Sequence, residues 1–178
     1  MSPLILTLAI TLEAQSHFET LRHLHFPPER NLIPAHLTLF HQLPNSESTR
    51  TTIESISARH PFFDLTVTGL RSLGRGVAFT LASPALMHLH RELSAAFAPD
   101  LIPQDRQPFH PHIVIQNKTT PEAARALLAD LQRNFAPTTV QARGLDLWLY
   151  LNGPWQHLST FEFQNGTRAD TAIAHQLP

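Results

Sequence analysis

The chain has 178 residues, of which 42% are hydrophobic and 15% are charged, a composition typical of a globular protein with a sizeable core. It has no cysteine, which excludes disulfides and thiol catalysis and gives no reason to expect an oxidising compartment, so we expect a cytoplasmic location by default. The formal net charge of −1 argues against tight nonspecific binding to long nucleic acid and favours a small ligand or an RNA end as the partner.

The first predicted elements are a strand and a helix. Apolar residues dominate 4–12, which suits a strand with at least one buried face. The stretch lacks the positive charge that precedes the core of a secretory signal. No run in the chain approaches the roughly 20 apolar residues that a membrane-spanning helix needs, so we expect no membrane segment. Ser16 and Glu19 form a capping box, which predicts a helix from Ser16 to about His25.

The remaining elements follow in a regular succession. The pattern predicts a strand opening at His36, a helix from Asn45 to Arg59, strands at 62–69 and 77–82, a helix from Ser83 to Pro99, a strand opening at His112, a helix from Thr120 to Phe135, and strands at 139–142, 145–151 and 158–163. The last two helices carry a Ser or Thr N-cap followed directly by proline, a typical helix start. Residues 164–178 are polar without a clear pattern and are predicted to be a loose tail.

The predicted order of elements occurs twice. Strand, helix, histidine strand, helix and strand fill residues 3–70 and recur in residues 76–163. The first strand of each copy lies at nearly the same distance before its histidine strand, which keeps the two copies close to register. The pattern indicates an internal duplication within one bilobal domain, residues 1–178, of α+β class.

A histidine opens the second strand of each copy. The two segments read Pro34-Ala-His36-Leu-Thr38-Leu and Pro111-His112-Ile-Val114-Ile. Side chains two apart in a strand share a face, so His36 and Thr38 point the same way, as do His112 and Val114. Imidazoles titrate near neutral pH, so a pair of them can act as one base and one acid in the same turnover without a metal.

The duplicated motif resembles that of the two-histidine phosphoesterase superfamily, which includes 2'-5' RNA ligases and 2',3'-cyclic phosphodiesterases and is marked by two copies of His-x-Thr/Ser. The first copy matches in full, whereas the second has Val114 in place of the hydroxyl residue. The resemblance covers roughly residues 3–163. It implies two lobes, each an antiparallel-rich sheet with helices outside, around a central groove that the histidine strands face.

The resemblance also implies an activity. We expect a monomeric, metal-independent phosphodiesterase, without a cofactor, that acts on a 2',3'-cyclic phosphate or a 2'-5' linkage of a nucleotide or RNA end. His36 and His112 would be the catalytic acid and base. Thr38 would donate a hydrogen bond to a phosphate oxygen as charge develops there. The absence of a hydroxyl at Val114 should weaken phosphate binding rather than abolish it.

Polar residues near the two histidines are further candidates. Gln116 and Lys118 follow His112, and the family often has a basic residue near there, so we predict that both contact phosphate. His110 precedes a proline and is predicted to lie in the loop before the strand. By alternation His41 should point away from the face that carries His36.

Three residues are candidates for lining the substrate groove. Phe40 is in line with the first histidine face, and Val114 is in line with the second. Tyr150 lies two residues after Trp148, so the two aromatics share a strand face and could stack on a nucleobase. Packing explains the position of Phe40 equally well, and a pair such as Trp148 and Tyr150 is more often part of core or lobe packing.

Three other functions are compatible with the same residues. A zinc site could use a His-x-His pair. Two of the three pairs fall on predicted helices, where side chains two apart diverge by about 200°. The third pair, His110 and His112, has no third ligand nearby in sequence. A nucleotide-binding or RNA-end-binding protein of the same fold with weak turnover is favoured by Val114. The third possibility is an unrelated α+β scaffold protein.

Overall fold

The computed structural model describes residues 2–164. Within them the helices are α1 (Leu12–His25), α2 (Glu47–Ser57), α3 (Pro84–Ala96) and α4 (Pro121–Arg133), and a 3-10 turn covers Pro28–Arg30. Ser46, Ser83 and Thr120 cap α2, α3 and α4, because each side chain accepts a hydrogen bond from a backbone N–H of the first turn. None of the helices described is both long and apolar enough to span a membrane.

The strands form one antiparallel sheet. They are β1 (Leu4–Ile10), β2 (Leu37–Leu43), β3 (Phe63–Ser72), β4 (Val77–Ala82), β5 (His112–Gln116), β6 (Thr138–Tyr150) and β7 (Trp155–Glu162). The order is β2-β1-β6-β3-β4-β5, and β7 also pairs with β6. The long strand β6 joins the two halves, since its residue Ala142 pairs with Ile10 of β1 on one edge and with Phe63 of β3 on the other.

The strand order has an approximate two-fold symmetry that the sequence pattern does not specify. In the predicted duplication β1, β2 and β3 correspond to β4, β5 and β6, and the order of the sheet is unchanged when these sets are exchanged. The third strand of each copy is therefore paired with the other copy, β6 with β1 and β3 with β4. The α+β class is confirmed, and the two halves share one curled sheet that carries the histidine strands β2 and β5 at corresponding positions.

The helices bury their apolar faces against this sheet. In α3, Leu86, Leu89 and Leu93 recur at helical spacing and are fully buried. Helix α1 packs against β5, and α4 packs against β3 and β4. The contact between α1 and β5 joins the first half of the chain to the second histidine strand, and so holds that strand in position.

Helix α1 begins earlier than the sequence predicts. Its first residue is Leu12, and Ser16 lies inside it. The predicted capping box does not form, because the Glu19 carboxylate instead accepts a hydrogen bond from the backbone N–H of Ala35 at 2.6 Å. The capping motif is thus overridden by a tertiary contact, and that contact holds the residue directly before His36.

Strand β6 and the segment after β7 also differ from the prediction. β6 is continuous where a break was predicted, and at Gly144 a Cβ atom would lie 2.5 Å from the carbonyl oxygen of Phe161, so the close approach of β7 requires glycine there. Gln164, predicted to belong to the loose tail, is anchored, since its backbone N–H donates to the carbonyl of His60 at 2.8 Å. The rest of that predicted tail, residues 165–178, lies outside the described residues.

Candidate active site

The two histidines of the duplicated motif line one cleft. His36 directly precedes β2, and His112 is the first residue of β5. Thr38 and Val114, each two residues after its histidine, line the same cleft, whose volume is about 260 Å³. The curled sheet therefore brings together the four side chains that strand alternation places on a common face.

Both imidazoles are held by the same hydrogen bond. Nδ1 of His36 lies 2.7 Å from the carbonyl oxygen of Pro34, and Nδ1 of His112 lies 2.7 Å from the carbonyl oxygen of His110. Because a carbonyl can only accept, each Nδ1 carries a proton and donates it. In the neutral ring this leaves Nε2 as the basic nitrogen, available to the cleft. Both histidine motifs therefore contain the same hydrogen bond, from Nδ1 of the histidine to the carbonyl of the residue two positions earlier.

His36 is partly buried and packs against Trp155, with 4.6 Å between the ring centroids. Burial lowers the pKa of His36 to about 4, and the positive charge of Arg22 and the nearby imidazoles of His41 and His112 act in the same direction, while the hydrogen bond to the Pro34 carbonyl opposes them. At neutral pH His36 is therefore uncharged and can accept a proton at Nε2.

Arg22 of α1 connects the two histidine strands. Its side chain is buried, with Nε donating to Oδ1 of Asn31 at 2.7 Å and to the carbonyl of Ile33 at 3.2 Å. One terminal nitrogen donates to the carbonyl of Val114 at 2.8 Å. Desolvation lowers the pKa of the guanidinium, whose charge is partly balanced by Glu19. Arg22 thus fixes β5 against the loop that leads to His36.

A β-bulge changes the face of the residues after Thr38. Thr38 pairs with Thr7, but Phe40 pairs with the adjacent residue Leu6, so β2 has an extra residue, Leu39, at this point. Leu39 and Phe40 are consequently both buried. The prediction that Phe40 lines the substrate groove is wrong, because its fully buried ring stacks on His90 with 4.9 Å between centroids.

A matching bulge lies in β5. Val77 pairs with Gln116 and Ala78 pairs with Val114, so Ile115 is the extra residue, and Gln116 turns into the core with only 6% of its surface exposed. Lys118 is exposed in a turn with a φ of 58°. Neither Gln116 nor Lys118 is among the described residues that line the cleft, so the predicted contacts of these two residues with phosphate are not supported.

The bulge at Leu39 of β2 also affects His41, which lines the cleft. His41 was predicted to face away, but the extra residue restores it to the side of Thr38, and it lines the cleft with His36. His110 lies in the loop before β5, as expected, and also lines the cleft. No local sequence signal marks a bulge in a run of apolar residues, so alternation alone misplaces His41.

Arg71 and His90 are two further residues of the cleft that the sequence reasoning missed. Arg71 of β3 pairs with Ala78 of β4, which pairs in turn with Val114 of β5, so Arg71 and Val114 share one cross-strand row. His90 is stacked between Phe40 and Phe109. Arginine suits phosphate recognition, but the pairing of three strands, rather than any local motif, selects Arg71.

A second cleft of about 470 Å³ is also lined by His36. Trp148 lines it, and the indole N–H donates to Oγ1 of Thr7 at 2.9 Å. Arg143 and Asp146 add charged groups to its wall. Tyr150 is not among the described residues that line either cleft beside His36, so the predicted pair of stacking aromatics is not formed there.

No group of three His, Asp or Glu side chains within residues 2–164 is arranged to hold a metal ion. The described residues therefore offer acid–base groups and hydrogen-bond donors to the cleft.

Comparison with known proteins identifies relatives of this fold. The model of the 2'-5' RNA ligase superfamily matches residues 11–154. TT0787 of Thermus thermophilus superposes with a TM-score of 0.66 at 16% identity, over 93% of this chain and 100% of its own. E. coli LigT complexed with 3'-AMP superposes with a TM-score of 0.57 at 21% identity, over 92% of this chain and 99% of its own. No curated protein sequence matches the chain. Since the family model covers most of the chain, including both histidine strands, the protein belongs to the 2'-5' RNA ligase superfamily.

Proposed function

We propose that this protein is a metal-independent phosphodiesterase that hydrolyses 2',3'-cyclic phosphates, or 2'-5' linkages, of nucleotides or RNA ends. The observation that carries the proposal is the pair of identically tethered imidazoles, His36 and His112, in one cleft. In each ring Nδ1 donates a hydrogen bond to a backbone carbonyl, so Nε2 is the nitrogen available for proton transfer. Membership of the superfamily and the shared fold of LigT, which has been crystallised with 3'-AMP, support a phosphoester substrate.

The two imidazoles have different roles in this mechanism. His36 is uncharged at neutral pH, because burial lowers its pKa to about 4, so we assign it as the base that takes a proton from the attacking water. As the water oxygen bonds to phosphorus, the bond from phosphorus to one ribose oxygen breaks. His112 enters the reaction as the imidazolium, with a proton on each ring nitrogen, and donates its Nε2 proton to that oxygen. The product is a phosphomonoester beside a free ribose hydroxyl, and solvent then returns the two histidines to their starting protonation.

Two further residues assist by binding the phosphate. The hydroxyl of Thr38 lies on the His36 side of the cleft and can donate a hydrogen bond to a non-bridging oxygen. The guanidinium of Arg71 supplies positive charge from the cross-strand row of Val114. Both contacts favour the transition state, in which the phosphoryl oxygens gain negative charge.

A second candidate function is nucleotide binding with weak turnover. It is favoured by Val114, which provides no hydroxyl at the position where the second motif of the superfamily has one. A protein that retained the cleft but lost part of its phosphate contacts would bind nucleotides and hydrolyse them slowly.

Turnover of defined substrates tests the proposal. The panel is 2',3'-cyclic nucleotides, 2'-5'-linked dinucleotides and, as a negative control, 3',5'-cyclic nucleotides, each with and without EDTA. We expect His36→Ala and His112→Ala each to lower kcat by ~10²–10⁴-fold, the usual contribution of a general acid or base. His88→Ala is the matched control, because His88 is exposed on α3 outside the cleft.

Three results would contradict the mechanism. Near-wild-type activity of a properly folded His36→Ala or His112→Ala variant would exclude paired acid–base catalysis. Loss of activity in EDTA that zinc restores would indicate a metal enzyme. Nucleotide binding without turnover of any panel member would favour the binding protein.

A further inference from the structure

A third histidine of the cleft is held by a buried carboxylate. The Nδ1–H of His41 donates to Oδ1 of Asp105 at 2.7 Å. The side chain of Asp105 is 1% exposed, whereas that of His41 is 47% exposed. Both line the cleft that contains His36 and His112. With Nδ1 turned to the carboxylate, Nε2 of His41 is the nitrogen that remains for the cleft.

The main chain of β2 fixes Asp105 in this position. The backbone N–H of His41 lies 3.0 and 2.9 Å from its two carboxylate oxygens, and that of Gln42 lies 3.1 Å from one of them. Burial alone raises the pKa of Asp105, but these hydrogen bonds and that of the His41 ring outweigh it and hold the pKa below its usual value. The carboxylate therefore stays charged, and it orients the imidazole as carboxylates orient metal-binding or catalytic histidines.

His41 is placed to add a phosphate contact to those proposed for Thr38 and Arg71. On the His36 side Thr38 offers a hydroxyl, whereas on the His112 side Val114 offers none. Gln116 is buried and Lys118 lies outside the cleft, so neither replaces the hydroxyl, and Arg71 in the row of Val114 supplies a guanidinium rather than a hydroxyl. His41 lines the cleft and follows the bulge at Leu39. In the imidazolium form both ring nitrogens carry a proton, so that Nδ1 donates to Asp105 and Nε2 can donate to a phosphate oxygen.

We propose that His41 donates a hydrogen bond from Nε2 to a phosphate oxygen of the substrate, in place of the hydroxyl that Val114 lacks, and that Asp105 is its positioning residue. The proposal deepens the phosphodiesterase function and rests on it for the identity of the substrate. The phosphate contact made by His41 can be measured by binding experiments, without turnover.

Two substitutions separate this role from a structural one. In His41→Asn the amide nitrogen takes the place of Nδ1, so the bond to Asp105 is retained and the group facing the cleft is lost. In His41→Gln the amide nitrogen takes the place of Nε2, so a donor still faces the cleft. Isothermal titration with inorganic phosphate reports affinity, kcat/KM for a 2',3'-cyclic nucleotide reports catalysis, and thermal melts report folding.

We expect His41→Asn to weaken phosphate binding about tenfold or more, the usual effect of losing a hydrogen bond to a charged group, and His41→Gln to weaken it less. Equal affinity of wild type and His41→Asn, or a larger loss in His41→Gln than in His41→Asn, would overturn the proposal. A wild type that does not bind phosphate would overturn it as well. A wild type that binds phosphate with the expected ranking of variants, yet hydrolyses no substrate, would support this contact while refuting the phosphodiesterase function.

A double-mutant cycle tests whether His41 substitutes for the missing hydroxyl. We expect His41→Asn to cost less phosphate affinity in a Val114→Thr background, because the new hydroxyl can serve the same oxygen. If His41→Asn lowers phosphate affinity by the same factor in both backgrounds, the two positions act independently. That result would refute the proposal that His41 takes the place of the missing hydroxyl.

Discussion

The low pKa of His36 predicts a specific loss of stability in mild acid. The unfolded histidine titrates at 6.5 and the folded one at about 4, so the unfolded chain binds more protons between these values. The free energy of unfolding should therefore be fully retained above pH 6.5 and should fall as the pH drops toward 4. For one site with these two pKa values, the loss between pH 8 and pH 5 is about 2 kcal/mol, and it approaches about 3 kcal/mol below pH 4.

The substitution His36→Asn isolates the contribution of His36 titration to the free energy of unfolding. Asparagine does not titrate, and its amide nitrogen can take the place of Nδ1 near the Pro34 carbonyl. Urea unfolding of both proteins at pH 8 and pH 5 gives four free energies. All other titrating groups are common to the two proteins, so the difference between wild type and variant should shift by about 2 kcal/mol in favour of the variant on going to pH 5.

Direct titration gives the decisive control. Proton NMR of the wild type should show one imidazole, absent from His36→Asn, that titrates near 4. A pH-independent difference in stability, together with a His36 resonance that titrates near 6.5, would refute the argument that burial keeps this ring neutral. It would also remove the basis for assigning His36 as the catalytic base.

Three further predictions concern the site. The acid limb of kcat/KM should lie near pH 4, because only neutral His36 of the free enzyme accepts a proton; a limb near 6.5 in the pH–rate profile would contradict the assignment. Arg22→Met should lower the free energy of unfolding by about 2–4 kcal/mol in urea titrations, because it leaves buried acceptors unpaired, and an unchanged midpoint would show that Arg22 does not join the strands. Thr38→Val should lower kcat/KM by ~10–100-fold with an unchanged melt, whereas equal rates would mean that Thr38 does not contact phosphate.

The helix starts show which signals are local enough to be read from the sequence. Ser83 and Thr120, each followed by proline, cap α3 and α4 where predicted, because the cap is formed within one turn of the chain. The signal at Ser16 and Glu19 fails since Glu19 binds the backbone of Ala35 instead. A local motif is thus reliable only where no distant group competes for the same atoms.

The sequence by itself determined the α+β class and placed His36 and His112 at the starts of their strands, His36 directly before β2 and His112 as the first residue of β5, because apolar periodicity and proline punctuation act over a few residues. Only the tertiary structure decided which strands pair, so that Arg71 reaches the row of Val114 through Ala78. Only the tertiary structure placed a bulge in β2, which buries Phe40 and turns His41 to the cleft. A single extra residue in a strand reverses the face of the residues that follow it, up to the next irregularity, and its position depends on the partner strand rather than on the residues in the bulge.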